Sequence, residues 1–169
     1  MPDNLTPSHV NHCAYPTWDT RATHDFYTQV LGCKLVAAVR EERVPSTGAE
    51  TPFLHTFFAM RTGECMAFFE VDDMPPAKDD GVPDWVRHIA LSVASREELD
   101  DWMTHLNEHG VDFIGPIDHE GIWQSIYFFD PNNIRLELTY QTTELDEQHA
   151  RDADKLLEQW MAERGQVAL

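Results

Sequence analysis

Positive charge is what this chain has least of. Its 12 lysines and arginines stand against 30 aspartates and glutamates, a formal net charge of −18. Neutralising nucleic-acid phosphates requires a basic patch, so this balance argues against nucleic-acid binding, and it equally disfavours anionic membrane surfaces. Long apolar runs are missing too. No stretch approaches the ~20 residues of a membrane span. The opening MPDNLTPSHV has neither the basic start nor the apolar centre of a secretion signal. Cysteine is scarce: Cys13, Cys33 and Cys65 are odd in number, well spread and without a CxxC pair. They are expected as reduced thiols of a cytoplasmic protein. What is present is ordinary for a folded globular chain. Over 169 residues, 42% hydrophobic and 11% aromatic content is enough for one compact unit or two small halves sharing a core.

The chain says the same thing twice. HVNHCAYPTWDTRATHDFYTQVLGCKLV opens a first copy that closes at CMAFFEV, and VRHIALSVASREELDDWMTHLNEHGVDF opens a second that closes at NIRLELTY. Each copy reads as a strand begun by a histidine, a helix, and strands ending at a glutamate. His12 is thereby matched with His88, and Glu70 with Glu137. The separations are 58 and 49 residues, and a loop insertion of that difference costs little. Two imidazoles and two carboxylates at equivalent places suggest one divalent metal held between the halves. A buried, unpaired carboxylate costs several kcal/mol, and Glu70 and Glu137 both sit in apolar strand runs whose basic neighbours are few, Arg87 and Arg135 being the visible ones.

The expected elements follow from pattern. A helix over 20–31 carries Phe26, Val30 and Leu31 on one side and stops at Gly32. Strands lie in CKLVAAV, FLHTFFAM and ECMAFFEV, around a polar loop at 41–52. In VRHIALSV, Ile89, Leu91 and Val93 face one side while His88, Ala90 and Ser92 face the other. Ser95 and Glu98 form a capping box before a helix striped by Leu99, Trp102, Met103 and Leu106. Short strands are expected near 111–114, 122–129 and 134–140, and a last helix over 143–163. The fold class is α+β: a βαβββ module at 9–71, a linker rich in Pro, Asp and Gly at 72–84, a second βαβββ module at 85–140, and a C-terminal helix and tail at 141–169.

This arrangement resembles the vicinal oxygen chelate superfamily, which includes glyoxalase I, the extradiol ring-cleavage dioxygenases and the fosfomycin and bleomycin resistance proteins. HCAYPTWD and FYTQVLG resemble its first strand and helix. YFFDPNNIRLEL resembles its closing hairpin, with Asn133 where Gly is usual; Asn is the next best residue for a left-handed turn. The resemblance implies two modules forming a cup around one metal, a small-molecule substrate and, in some members, a homodimer. His12, seven residues before Asp19, is the expected first ligand. His9 would point to the opposite face.

Two histidines and one carboxylate form a set that suits Fe(II) with open positions for substrate and dioxygen. The segment IDHEGIWQSIYFFDPNNIRLE further resembles the extradiol signature. It implies His119 as an acid/base and Tyr127 as a hydrogen-bond donor, with Asp130 and Pro131 shaping the turn. Glu70 points instead to the four-ligand pattern of glyoxalase I, with Ni, Co, Zn or Mn. The glutathione contacts of that enzyme are not matched, since Pro16 and VDDM occupy their places. The expectation is a metal enzyme with ligands His12, His88, Glu137 and Glu70 and catalytic residues His119 and Tyr127. An Fe(II) dioxygenase acting on a small aromatic or catecholic substrate leads, a glyoxalase-like isomerase or lyase is the alternative, and a metal-independent binding protein stands third.

Overall fold

The computed structural model describes residues 6–75 and 80–165; most of the 72–84 linker's centre lies outside them. Two four-stranded mixed sheets and three helices follow one another in the expected order. The first module comprises β1 (His12–Pro16), α1 (Thr20–Asp25, continued by a π-helical stretch at Phe26–Val30), β2 (Lys34–Glu41), β3 (Phe53–Ala59) and β4 (Cys65–Val71). The second comprises β5 (Ile89–Ser92), α2 (Arg96–Glu108), β6 (Phe113–His119), β7 (Trp123–Phe129) and β8 (Arg135–Gln141). Strand order is β1-β4-β3-β2 in one sheet and β5-β8-β7-β6 in the other, the first and last strands of each module pairing in parallel.

Local chemistry sets the boundaries. The Asp19 side chain accepts the Ala22 amide at 2.9 Å and starts α1, and Ser95 accepts the Glu98 amide at 3.1 Å to start α2. The last helix, α3 (Glu147–Glu163), begins four residues later than the apolar spacing predicts, because Asp146 and His149 form a reciprocal capping box there. β6 is longer than expected and runs to His119, which pairs with Trp123. A bulge between Ile114 and Ile117 absorbs the irregularity. Gly115 sits in that bulge with a positive φ of 126°, and any Cβ there would meet the Ser125 carbonyl at 2.7 Å.

The core lies between the modules, where α1 and α2 meet the inner faces of both sheets. Phe26, Tyr27, Phe58, Phe68, Leu99, Leu106, Ile126, Phe128 and Leu136 are buried in it. Polar bonds stitch the same seam. The Tyr27 hydroxyl donates to Asp130 at 3.2 Å, Asn132 donates to Thr23 at 3.0 Å, and His105 meets the Val30 carbonyl at 2.9 Å. Because the helices occupy the inner faces, the outer face of each sheet is turned away from the core. Those outer faces carry His12 and His88. No ladder joins β1 to β5 in the described chain, so the two sheets do not fuse into one cup within it.

Candidate metal and acid/base site

The second module brings four of the six expected residues together. Glu137 stands on β8 opposite Tyr127 of β7, and its side chain is on the outer face with Arg135 and Thr139. His88 immediately precedes β5, and its Nε2 lies 2.9 Å from Glu137 Oε2. Two ligands each about 2.1 Å from one ion, at right angles, are about 3 Å apart. The same separation is that of a direct imidazole–carboxylate hydrogen bond, so the pair is in contact and also spaced compatibly with two ligands of one metal. His119, at the end of β6, places Nε2 2.8 Å from the Tyr127 hydroxyl. The His88 and His119 rings both meet the Tyr127 ring edge-on, with centroids 5.9 and 6.1 Å away. Burial first, and then the Glu137 carboxylate beside it, raise the Tyr127 phenol above its ordinary pKa. At neutral pH that phenol keeps its proton and is a donor.

Arg135, noted in the sequence only as a basic neighbour of the glutamates, joins this cluster. Its guanidinium carbon lies 4.4 Å from the Tyr127 ring centroid. It stands two residues before Glu137, and so on the same strand face.

The first module is arranged differently. His12 is exposed on the edge strand β1, with Nδ1 2.7 Å from Asn11 Oδ1. Its ring neighbours are Phe57 at 5.4 Å and His55 at 6.3 Å. His55, on β3, is half-buried. It stacks on Phe69 at 3.6 Å, and its Nδ1 meets the Phe68 carbonyl at 3.0 Å. Desolvation lowers its pKa, so it is neutral at pH 7.

Glu70 is not the counterpart of Glu137. In the first sheet His12 pairs with Cys65 and Ala14 with Ala67. In the second, Ile89 pairs with Leu136 and Ala90 with Glu137. The position equivalent to Glu137, two residues on from each histidine, is thus Ala67. Glu70 shares its side of β4 with Met66 and Phe68, and its carboxylate accepts the Thr20 amide at 2.9 Å, at the start of α1. His9, its Nδ1 2.9 Å from Ser8 Oγ, is exposed. Among the described residues, no three His, Cys, Asp or Glu side chains of this one chain converge on a metal position.

The family profile of the glyoxalase/bleomycin resistance protein/dioxygenase superfamily matches residues 9–138. The chain belongs to that superfamily. Within the superfamily, it is 30% identical over 130 residues to the metallothiol transferase FosB of Bacillus licheniformis, covering 76% of this chain and 73% of that protein. A superfamily domain from Frankia sp. EAN1pec superposes with a TM-score of 0.63 at 22% identity, over 80% of this chain and 99% of the other. A mutant of the fosfomycin resistance protein FosX from Listeria monocytogenes, complexed with Mn(II) and 1S,2S-dihydroxypropylphosphonic acid, superposes with a TM-score of 0.56 at 20% identity, over 85% of this chain and 98% of the other. These structural likenesses concern the fold. No described helix is long and apolar enough to cross a membrane.

Proposed function

We propose that this protein is a divalent-metal enzyme acting on a small molecule that chelates the metal through neighbouring oxygens. Its ligands are His88 and Glu137 of one chain and His12 of a second copy. The observation that carries this reading is the 2.9 Å spacing of His88 Nε2 and Glu137 Oε2 on an outward sheet face, beside a hydrogen-bonded His119–Tyr127 pair. One chain supplies two donors there and leaves His12 exposed on the free edge of the other sheet. A two-fold pair sets β1 of one copy against the β5 edge of the other and brings the third ligand in. Glu70 is left out of this set because it is committed to the start of α1.

Two imidazoles and one carboxylate would hold a divalent ion and leave it positively charged toward an anionic chelator. The bound ion supplies Lewis-acid polarisation of the substrate oxygens. The chain's own residues handle the proton. His119 takes it from a substrate hydroxyl, and Tyr127, held protonated, donates a hydrogen bond to the same region. The aromatic residues of the first module's outer face, Phe57 and Phe69 with the neutral ring of His55 between them, give an apolar wall suited to a planar substrate.

His119 and Tyr127 favour oxygenation of a catechol by an iron site. A second reading, addition of a thiol to an electrophilic carbon by a site holding Mn or another divalent ion, rests on the metallothiol transferase relative. Elemental analysis after purification without added metal, followed by oxygen-uptake and thiol-addition assays, separates them. About one iron per chain and oxygen uptake with catechol is the expected result. Manganese, nickel, cobalt or zinc with thiol addition carries the second reading. No metal, even after reconstitution, overturns both.

A further inference from the structure

We infer that Arg135 binds an anionic group of the substrate, so that the site selects chelating molecules that also carry a carboxylate or comparable anion. This rests on the metal-enzyme reading above and adds the substrate's charge to it. In a chain with 30 acidic residues, arginines find carboxylates easily. Arg21, Arg40, Arg43, Arg61, Arg87, Arg96 and Arg151 each have one within 4.0 Å. Arg135 and the exposed Arg164 have none among the described residues, and of these two only Arg135 has a buried Nε without a hydrogen-bond partner. An uncompensated, half-buried cation beside a metal site is costly unless an anion arrives.

Its position is a binding position. Arg135 stands two residues before Glu137 on the same strand face, with its guanidinium carbon 4.4 Å from the Tyr127 ring centroid. A guanidinium carries five N–H donors in a planar fork, and its terminal pair can take a carboxylate or phosphonate in two parallel hydrogen bonds. Charge points the same way. With a divalent ion bound, the ion, Arg135 and Glu137 leave a local surplus of about two positive charges, on a protein otherwise strongly negative. Such a spot concentrates anions that the rest of the surface repels.

The test compares neutral catechol with 2,3- and 3,4-dihydroxybenzoate, titrated calorimetrically into the anaerobic metal-loaded protein. The better benzoate is expected to bind about tenfold or more tightly than catechol. In Arg135→Met that advantage shrinks to about twofold or less, with metal content measured on the same sample. Arg135→Lys, which keeps the charge but not the fork, is expected to retain part of the preference and serves if the Met variant does not fold. Equal binding of catechol and both benzoates by the wild type overturns the inference alone, as does an undiminished preference in Arg135→Met. Loss of metal from a folded Arg135→Met variant makes Arg135 a support of the ligands and overturns it as well. Failure of the metal-loaded protein to bind any of the three removes the catechol reading together with the inference.

Discussion

In β4 the core residues are Met66 and Phe68, and Glu70 continues their parity; in β8 Glu137 stands between the core residues Leu136 and Leu138. Side chains alternate faces along a strand, so the two glutamates point to opposite sides of equivalent strands. That difference was legible in CMAFFEV and RLELTY. Matching the copies by their closing acidic residue obscured it, because a three-residue offset is invisible beside the larger change in loop length. Glu70→Gln is expected to keep metal affinity within about tenfold, or 1.4 kcal/mol, and to weaken the start of α1 by about 1 kcal/mol. Glu137→Gln is expected to abolish metal uptake. Equilibrium dialysis with unfolding curves checks both, and loss of metal from Glu70→Gln returns it to the ligand set. Among the cysteines, Cys13 turns from His12 toward the core. Burial pushes the Cys33 thiol up to about 11. At pH 8 Cys33 is expected to stay unreactive toward a disulfide reagent until the protein unfolds, and rapid labelling in the native state, assigned by mass spectrometry, contradicts that.

Elements were more legible than the seams between them. Asp19, Ser95 and Asn133 act as local signals that tertiary structure then obeys. Asn133 takes the left-handed conformation at φ 61°, and Asp130 closes the β7–β8 turn by accepting the Asn132 and Ile134 amides at 2.8 Å. The same carboxylate accepts the Tyr27 hydroxyl of the other module, a long-range role that no short motif announces. Asp130→Ala leaves that buried hydroxyl and two amides without acceptors and is expected to cost about 2–3 kcal/mol in urea unfolding. A cost below about 0.5 kcal/mol would show that the turn holds without it. α3 is the opposite case. None of its residues is buried, and Leu156, Leu157 and Trp160 are exposed. Within one chain, its stability rests on local terms such as the Asp146–His149 box. Asp146→Ala is expected to reduce far-ultraviolet helical ellipticity while leaving the cooperative unfolding of the two modules in place.

For the whole molecule, the decisive feature is that the helices fill the space between the sheets and turn the faces that bear His12 and Glu137 away from the core. Sequence repeats show that two modules exist, but the side from which they meet depends on packing that no periodicity records. His12 and His88 were legible as equivalent residues, while the absence of a ladder between β1 and β5 among the described residues was not. A shared site has a consequence that a site within one chain lacks. His12→Ala and His88→Ala are each expected to be inactive and deficient in metal. Unfolded together and refolded as a mixture, they form a mixed dimer in which one site carries both lesions and the other is intact. Random pairing puts half of the molecules in that mixed state, so about one quarter of wild-type metal content and activity is expected to return. Recovery proportional to the mixed dimer, absent when either variant is refolded alone, places His12 in the partner's site. No recovery, with dimers demonstrably exchanged, would require His12 to act within its own chain or not at all.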